Sequence, residues 1–203
     1  MTQSRRDRTG KAWPELLELL KTHSYRRGTV VLASGKESDF FIDCKQTVLL
    51  ARGHQLVGEL MLDAFRHLRV NAVAGVELGG CPLASAVSLI SAQRGRPLDA
   101  LYVRKEVKDH GSRRKVEGPM RSGLGVVLLE DVITTGGSTL RALDVLQAEG
   151  AEVAGVVALV DRLEGGVEAI AARGVEVVTL FTRQDFLAEE DLDTTMNEPT
   201  VAD

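Results

Sequence analysis

The chain has 203 residues, 44% hydrophobic and 27% charged, which suits one sizeable domain with its own core. Formal net charge is −4, yet the stretch from Gln184 to Asp203 holds acids and no Lys or Arg, so the body is near neutral and does not read as a nucleic-acid binder. No apolar run approaches the ~20 residues that cross a bilayer, and the polar, Arg-rich N-terminus lacks the apolar core of a signal peptide.

Cys44 and Cys81 lie far apart with no CxxC partner, so neither a disulfide framework nor a zinc site is indicated. Both read as small buried hydrophobes, and a reducing cytoplasm is the expected compartment.

Met1 to Gly10 is basic, polar and expected to be disordered. Leu16, Leu17, Leu19 and Leu20 then follow a helical pattern, with Pro14 tolerated in the first turn. The runs Gly28–Ala33 and Asp39–Asp43 read as a hairpin that could lie across a sheet edge as a hood. One of Phe40 and Phe41 should face the core and the other a flat heteroaromatic ring.

From Arg52 the chain alternates. A helical stripe runs from Leu56 to Leu68, then come a strand at Ala72–Val76, a helix at Leu83–Ala92, a strand at Ala100–Val103 and a strand at Val126–Leu129. A helix at Leu140–Ala148, a strand at Val153–Val160, a helix near Val167–Ala172 and a strand at Val175–Leu180 complete the pattern. Apolar strands separated by helices predict an α/β fold, a mostly parallel sheet flanked by helices with ligands beyond the carboxyl ends of the strands. The expected division is 1–50 for the N-terminal helix and hood, 51–188 for the core, and 189–203 for an acidic flexible tail.

The stretch Val126 to Thr139 carries the chemistry. Four apolar residues read as a buried strand, Glu130-Asp131 breaks the run where the strand should end, and Val132 to Ser138 leads into a helix. Free backbone N–H groups at a helix N-terminus, its dipole and close-approach glycines suit a phosphate. Acidic side chains beside it do not, unless a sugar lies between, its hydroxyls on the carboxylates and its phosphate on the helix. The alternative is a polar turn with Ser138 as N-cap and no ligand.

Glu77-Leu78-Gly79-Gly80-Cys81-Pro82 is a second loop between strand and helix, read as either a tight turn or a loop whose amides approach pyrophosphate. Arg104 to Gly118 is the most polar interior segment, read as a mobile lid or a solvated surface loop.

Glu130 to Ser138 resembles the phosphoribosyl diphosphate (PRPP) signature of type I phosphoribosyltransferases. The segment Arg104-Lys105-Glu106, Lys108-Asp109-His110-Gly111 resembles the RKExKDHG lid of the orotate phosphoribosyltransferases, whose SG, aromatic and DR segments are matched by Ser34-Gly35, Phe40-Phe41 and Asp161-Arg162. Ala33 and Gly79 stand where some relatives carry Lys, and Asp39 where many have Pro.

The resemblance implies the fold of that family and transfer of the phosphoribosyl group of PRPP to orotate, with Lys108, Glu130 and Asp131 in the chemistry. PRPP would meet Arg104, Lys105, Lys108, His110 and the run Glu130, Asp131, Val132, Ile133, Thr134, Thr135, Gly136, Gly137 and Ser138. Orotate would meet Thr134, Arg162, Phe40 and Phe41. Mg²⁺ is the implied cofactor, held mainly by PRPP and water rather than by a protein metal site. The implied assembly is a homodimer whose lid closes over the neighbouring subunit's site. A phosphoribosyltransferase for a purine or another pyrimidine, and a PRPP-sensing nucleic-acid-binding regulator, are the alternatives; a cation such as Arg162 serves a carboxylate that purines lack.

Overall fold

The architecture was obtained as a computed structural model that describes residues 10–31, 37–105 and 114–187. Of the stretch Met1 to Gly10 expected to be disordered, residues 1–9 lie outside the described residues, as does the tail at 189–203.

Helix α1 (Ala12–His23) buries Leu16, Leu17 and Leu20 on one side. The Trp13 indole N–H donates to the Leu180 carbonyl at 3.1 Å and its ring lies 4.8 Å from Phe181, which anchors the N-terminus on the far edge of the sheet. The expected hairpin forms from β1 (Tyr25–Val31) and β2 (Glu37–Ile42), antiparallel and separate from the main sheet. A single turn, α2 (Lys45–Val48), and α3 (Ala51–Ala64) follow. The apolar stripe continued to Leu68, but the helix stops at Ala64.

The core then alternates through β3 (Ala72–Val76), α4 (Gly80–Gln93), β4 (Asp99–Val103), β5 (Val116–Glu117), β6 (Gly125–Ile133) and α5 (Gly137–Ala148). It ends with β7 (Glu152–Asp161), α6 (Gly166–Ala171), β8 (Glu176–Thr182) and a 3₁₀ turn at Arg183–Phe186. The six-stranded sheet has the order β5-β4-β3-β6-β7-β8, parallel except for the edge strand β5. Every residue of β3 is buried, as is Val126–Leu129 of β6, because helices cover both faces. The apolar cluster that includes α3 and α4 also takes in Leu16, Leu20 and Phe40, so the N-terminal elements share the core of the sheet rather than owning one.

Two further features depart from the sequence reading. The turn α2, the two-residue β5 and the 3₁₀ turn were not foreseen, being too short to display a period. Strand β6 does not end at the acidic pair: pairing with the ten-residue β7 carries it on to Ile133, opposite Asp161. Backbone hydrogen bonding with a long neighbour outweighs the polarity of Glu130 and Asp131 there.

Among the described residues no helix is long and apolar enough to cross a membrane.

Candidate active site

The parallel strands deliver the loops singled out in the sequence to one edge. After β6, Thr134, Thr135 and Gly136 turn into α5. Gly136 takes φ 81, a left-handed conformation, and a Cβ there would come within 2.9 Å of the Gly166 carbonyl. The loop thus rests on the start of α6, and only glycine supplies both the turn and the clearance. No side chain caps the first turn of α5, so its N–H groups and dipole are left for an anion. Ser138, read as a potential N-cap, lies inside the helix; Gly136 takes the cap position. Thr135 is exposed, Val132, Thr134 and Ser138 are half-buried, and Ile133 is buried in the core.

The two carboxylates are presented differently. Glu130 is 4% exposed and accepts hydrogen bonds from the Thr139 hydroxyl at 2.9 Å and from that of Ser138 at 3.5 Å. Burial, with Asp131 beside it, raises its pKa to about 8, which favours the protonated carboxyl far more than in a free glutamate. Asp131 is half-buried, and its Oδ1 accepts from the N–H of Val132 at 3.0 Å. Of the two carboxylates, Asp131 is the more open.

The raised pKa of Glu130 sets a sign. The unfolded carboxyl loses its proton near 4.5 while the folded one keeps it to about 8, so the stabilisation is full below the lower value and is lost as pH rises through the upper. Between about pH 5 and about pH 9 the melting temperature of the wild type should fall by several degrees more than that of Glu130→Gln, which has no proton to lose. Parallel melting curves would exclude a protonated Glu130.

Gly79 explains where Asp131 lies. A Cβ on Gly79 would sit 1.9 Å from Asp131 Oδ2, so the carboxylate leans into space that any side chain at 79 would claim. The atom in the way ends a side chain, so Gly79→Ala should turn Asp131 with little loss of stability. An increase of about tenfold in the KM for a substrate that Asp131 contacts is expected, one charge-assisted contact misplaced. Steady-state kinetics beside a melting curve checks it.

The neck of the polar segment is well defined. Arg104 N–H donates to the Lys115 carbonyl at 2.9 Å, the Arg104 guanidinium pairs with Glu117 at 3.2 Å, and the Lys105 backbone N–H donates to Glu77 at 3.3 Å. Arg104, Lys105, Lys115, Arg141 and Ser138 line a cavity of about 500 Å³ over the ends of β3 and β4. Lys108 and His110 lie outside the described residues, as do Ser34 and Gly35.

Arg162, at the end of β7, donates its backbone N–H to the Ile133 carbonyl at 3.0 Å, next to the β6 loop. Its side chain is 11% exposed, its Nη2 is 2.8 Å from Glu164, and its guanidinium lies 5.9 Å from the centre of the Phe40 ring. Phe40 is fully buried among Tyr25 and Phe186, with the Arg183 guanidinium 5.6 Å away. The pair therefore divides, with Phe40 packed in the core and Phe41 half-buried. Cys44 is fully buried with its Sγ 3.8 Å from the Asp131 carbonyl, and burial pushes its thiol pKa well up. Cys81, read as buried, is only half so.

Thr139, Glu77, Gly79 and Glu164 were not singled out from sequence for these contacts. The Ser138-Thr139 pair at the start of a helix was the one available signal for Thr139; the others depend on long-range packing.

The arrangement of a loop at a helix N-terminus, an acidic pair and a cationic neck on one sheet edge defines a sugar-phosphate transferase. The family model described as a phosphoribosyl transferase domain matches residues 45–188. The orotate phosphoribosyltransferase of Sorangium cellulosum (strain So ce56) is 66% identical over 177 residues, 86% of this chain and 92% of that protein. The crystal structure of Mycobacterium tuberculosis orotate phosphoribosyltransferase with Fe(III) dicitrate superposes with a TM-score of 0.77 at 37% identity, over 87% of this chain and 99% of that one. The complex of the Mycobacterium tuberculosis enzyme with PRPP gives 0.74 at 35% identity, over 86% and 98%. The chain belongs to the phosphoribosyl transferase domain family, and within it to the orotate phosphoribosyltransferases.

Proposed function

We propose that this chain transfers the 5-phosphoribosyl group of PRPP to orotate, giving orotidine 5′-phosphate and diphosphate. The bond from C1 of the ribose to the diphosphate oxygen breaks and a bond from C1 to the pyrimidine nitrogen forms. Positive charge develops on the ring and negative charge on the leaving group.

The 5′-phosphate sits on the N–H groups between Thr134 and Ser138. Asp131 takes the ribose hydroxyls and lies near the developing positive ring. The buried Glu130 beside it holds Ser138 and Thr139 in line. Arg104, Lys105, Lys108 and His110 meet the diphosphate, where fixed cations stabilise charge that is complete only in the transition state.

Among the described residues no group of three His, Cys, Asp or Glu side chains could cage a metal. The half-exposed Asp131 carboxylate and the hard oxygens of a diphosphate suit Mg²⁺, which when bound neutralises charge on the leaving group. Orotate is already a usable nucleophile as its anion, so no protein base is required. Closing the polar segment keeps out water that would hydrolyse PRPP.

Tyr102, exposed by 37% on β4 next to the neck, and Leu89, exposed by 55% on α4, support a homodimer in which that segment serves the partner's site. A cytoplasmic location fits the chemistry.

The placement of Arg162, one strand from the phosphate loop, carries orotate as the base, because a buried guanidinium there answers a carboxylate. Purified protein assayed with PRPP, Mg²⁺ and a panel of bases should turn over orotate. Preference for adenine, hypoxanthine or uracil would replace this reading.

A further inference from the structure

The turn after Arg162 has an unusual backbone. Leu163 takes φ 60 although its side chain is 49% exposed and gains little from burial. A leucine adopts that region only where its surroundings impose it. Here the Leu163 N–H donates to Asp161 Oδ1 at 2.9 Å, and Asp161, 5% exposed, cannot turn to water instead. The result is that Glu164 comes back onto the residue two before it, its Oε1 2.8 Å from Arg162 Nη2. The chain accepts a strained turn that lays a carboxylate on a nearly buried cation.

We propose that Glu164 is an internal stand-in for the substrate carboxylate, holding the Arg162 guanidinium in the empty site and giving way when orotate or its nucleotide product binds. The idea rests on the reading of Arg162 as the cation for the base. With a side chain 11% exposed, Arg162 would be costly to leave unanswered by negative charge. Glu164, 37% exposed, keeps one side in water and can swing out without being desolvated. A carboxylate on a planar ring can engage the guanidinium fork at two points, which gives it a geometric advantage over a flexible side chain. Orotate and orotidine 5′-phosphate carry the same carboxylate, so the competition weakens both. Product release becomes easier at the expense of substrate affinity, a favourable exchange where release limits turnover.

Glu164→Gln keeps the size and removes the charge. Calorimetric titration with orotidine 5′-phosphate should show Kd lowered about three- to tenfold, the range of a partly exposed ion pair. The KM for orotate should fall with it and that for PRPP stay put, a split that a general structural role would not produce. In an Arg162→Ala background the gain should vanish. Unchanged or weaker product binding by Glu164→Gln, or the same gain without Arg162, overturns the proposal. Wild-type orotate affinity in Arg162→Ala alone is a different failure: it removes Arg162 from the base pocket, and the functional reading of that pocket with it.

Discussion

Lys108→Ala should lower kcat by about 10²- to 10³-fold, the loss that follows removal of one fixed charge from a developing anion. The melting temperature should not move. The reason is the timing of the charge: diphosphate bound as part of PRPP shares its electrons with C1, whereas in the transition state the leaving oxygen carries them. A cation aimed there contributes more as the bond breaks, so the loss should appear in kcat rather than in the KM for PRPP. Arg104 and Lys105 enter the segment and Lys115 leaves it, with the Arg104–Lys115 backbone hydrogen bond closing the neck. Those cations remain in the variant, so binding of PRPP should persist. Turnover within a few-fold of wild type would remove Lys108 from the mechanism.

Arg162→Ala should act on the other substrate. Loss of a charge-assisted, nearly desolvated contact to the base carboxylate should raise the KM for orotate by about 10- to 100-fold and leave that for PRPP within about twofold. Folding should survive, because the partner left behind, Glu164, is 37% exposed and returns to water, and Phe40 keeps its contacts with Tyr25, Phe186 and Arg183. The variant should also lose discrimination between orotate and uracil, which lacks the carboxylate. Steady-state kinetics with both bases decides it; an unchanged orotate KM would place the base elsewhere.

These expectations draw on different depths of the sequence. The alternation of apolar strands and helices was legible throughout the core, and β3 appears at the residues expected, Ala72–Val76. A strand covered on both faces must be apolar along its whole length, so composition alone reveals it. The acidic pair, the Thr/Gly loop and the Arg162 position were legible too, since each is a short run whose chemistry is local. Less could be read of how far β6 runs, because that depends on the length of β7, a separate stretch of chain. The distinction between Phe40 and Phe41 was half visible: alternation requires that one ring turn inward, but the choice belongs to Phe186, supplied by a 3₁₀ turn at the far end of the core.

By itself the amino-acid order determined the layered α/β arrangement, the edge on which ligands gather and the class of chemistry, because hydrophobic period and local motifs are written within a few residues of one another. Only the tertiary structure decided which carboxylate is open and which is buried with its pKa raised, that Gly79 makes room for Asp131, and that Glu164 folds back on Arg162. Each of these turns on desolvation and clearance between side chains brought together by packing, and water is excluded from a site only after the chain has closed around it.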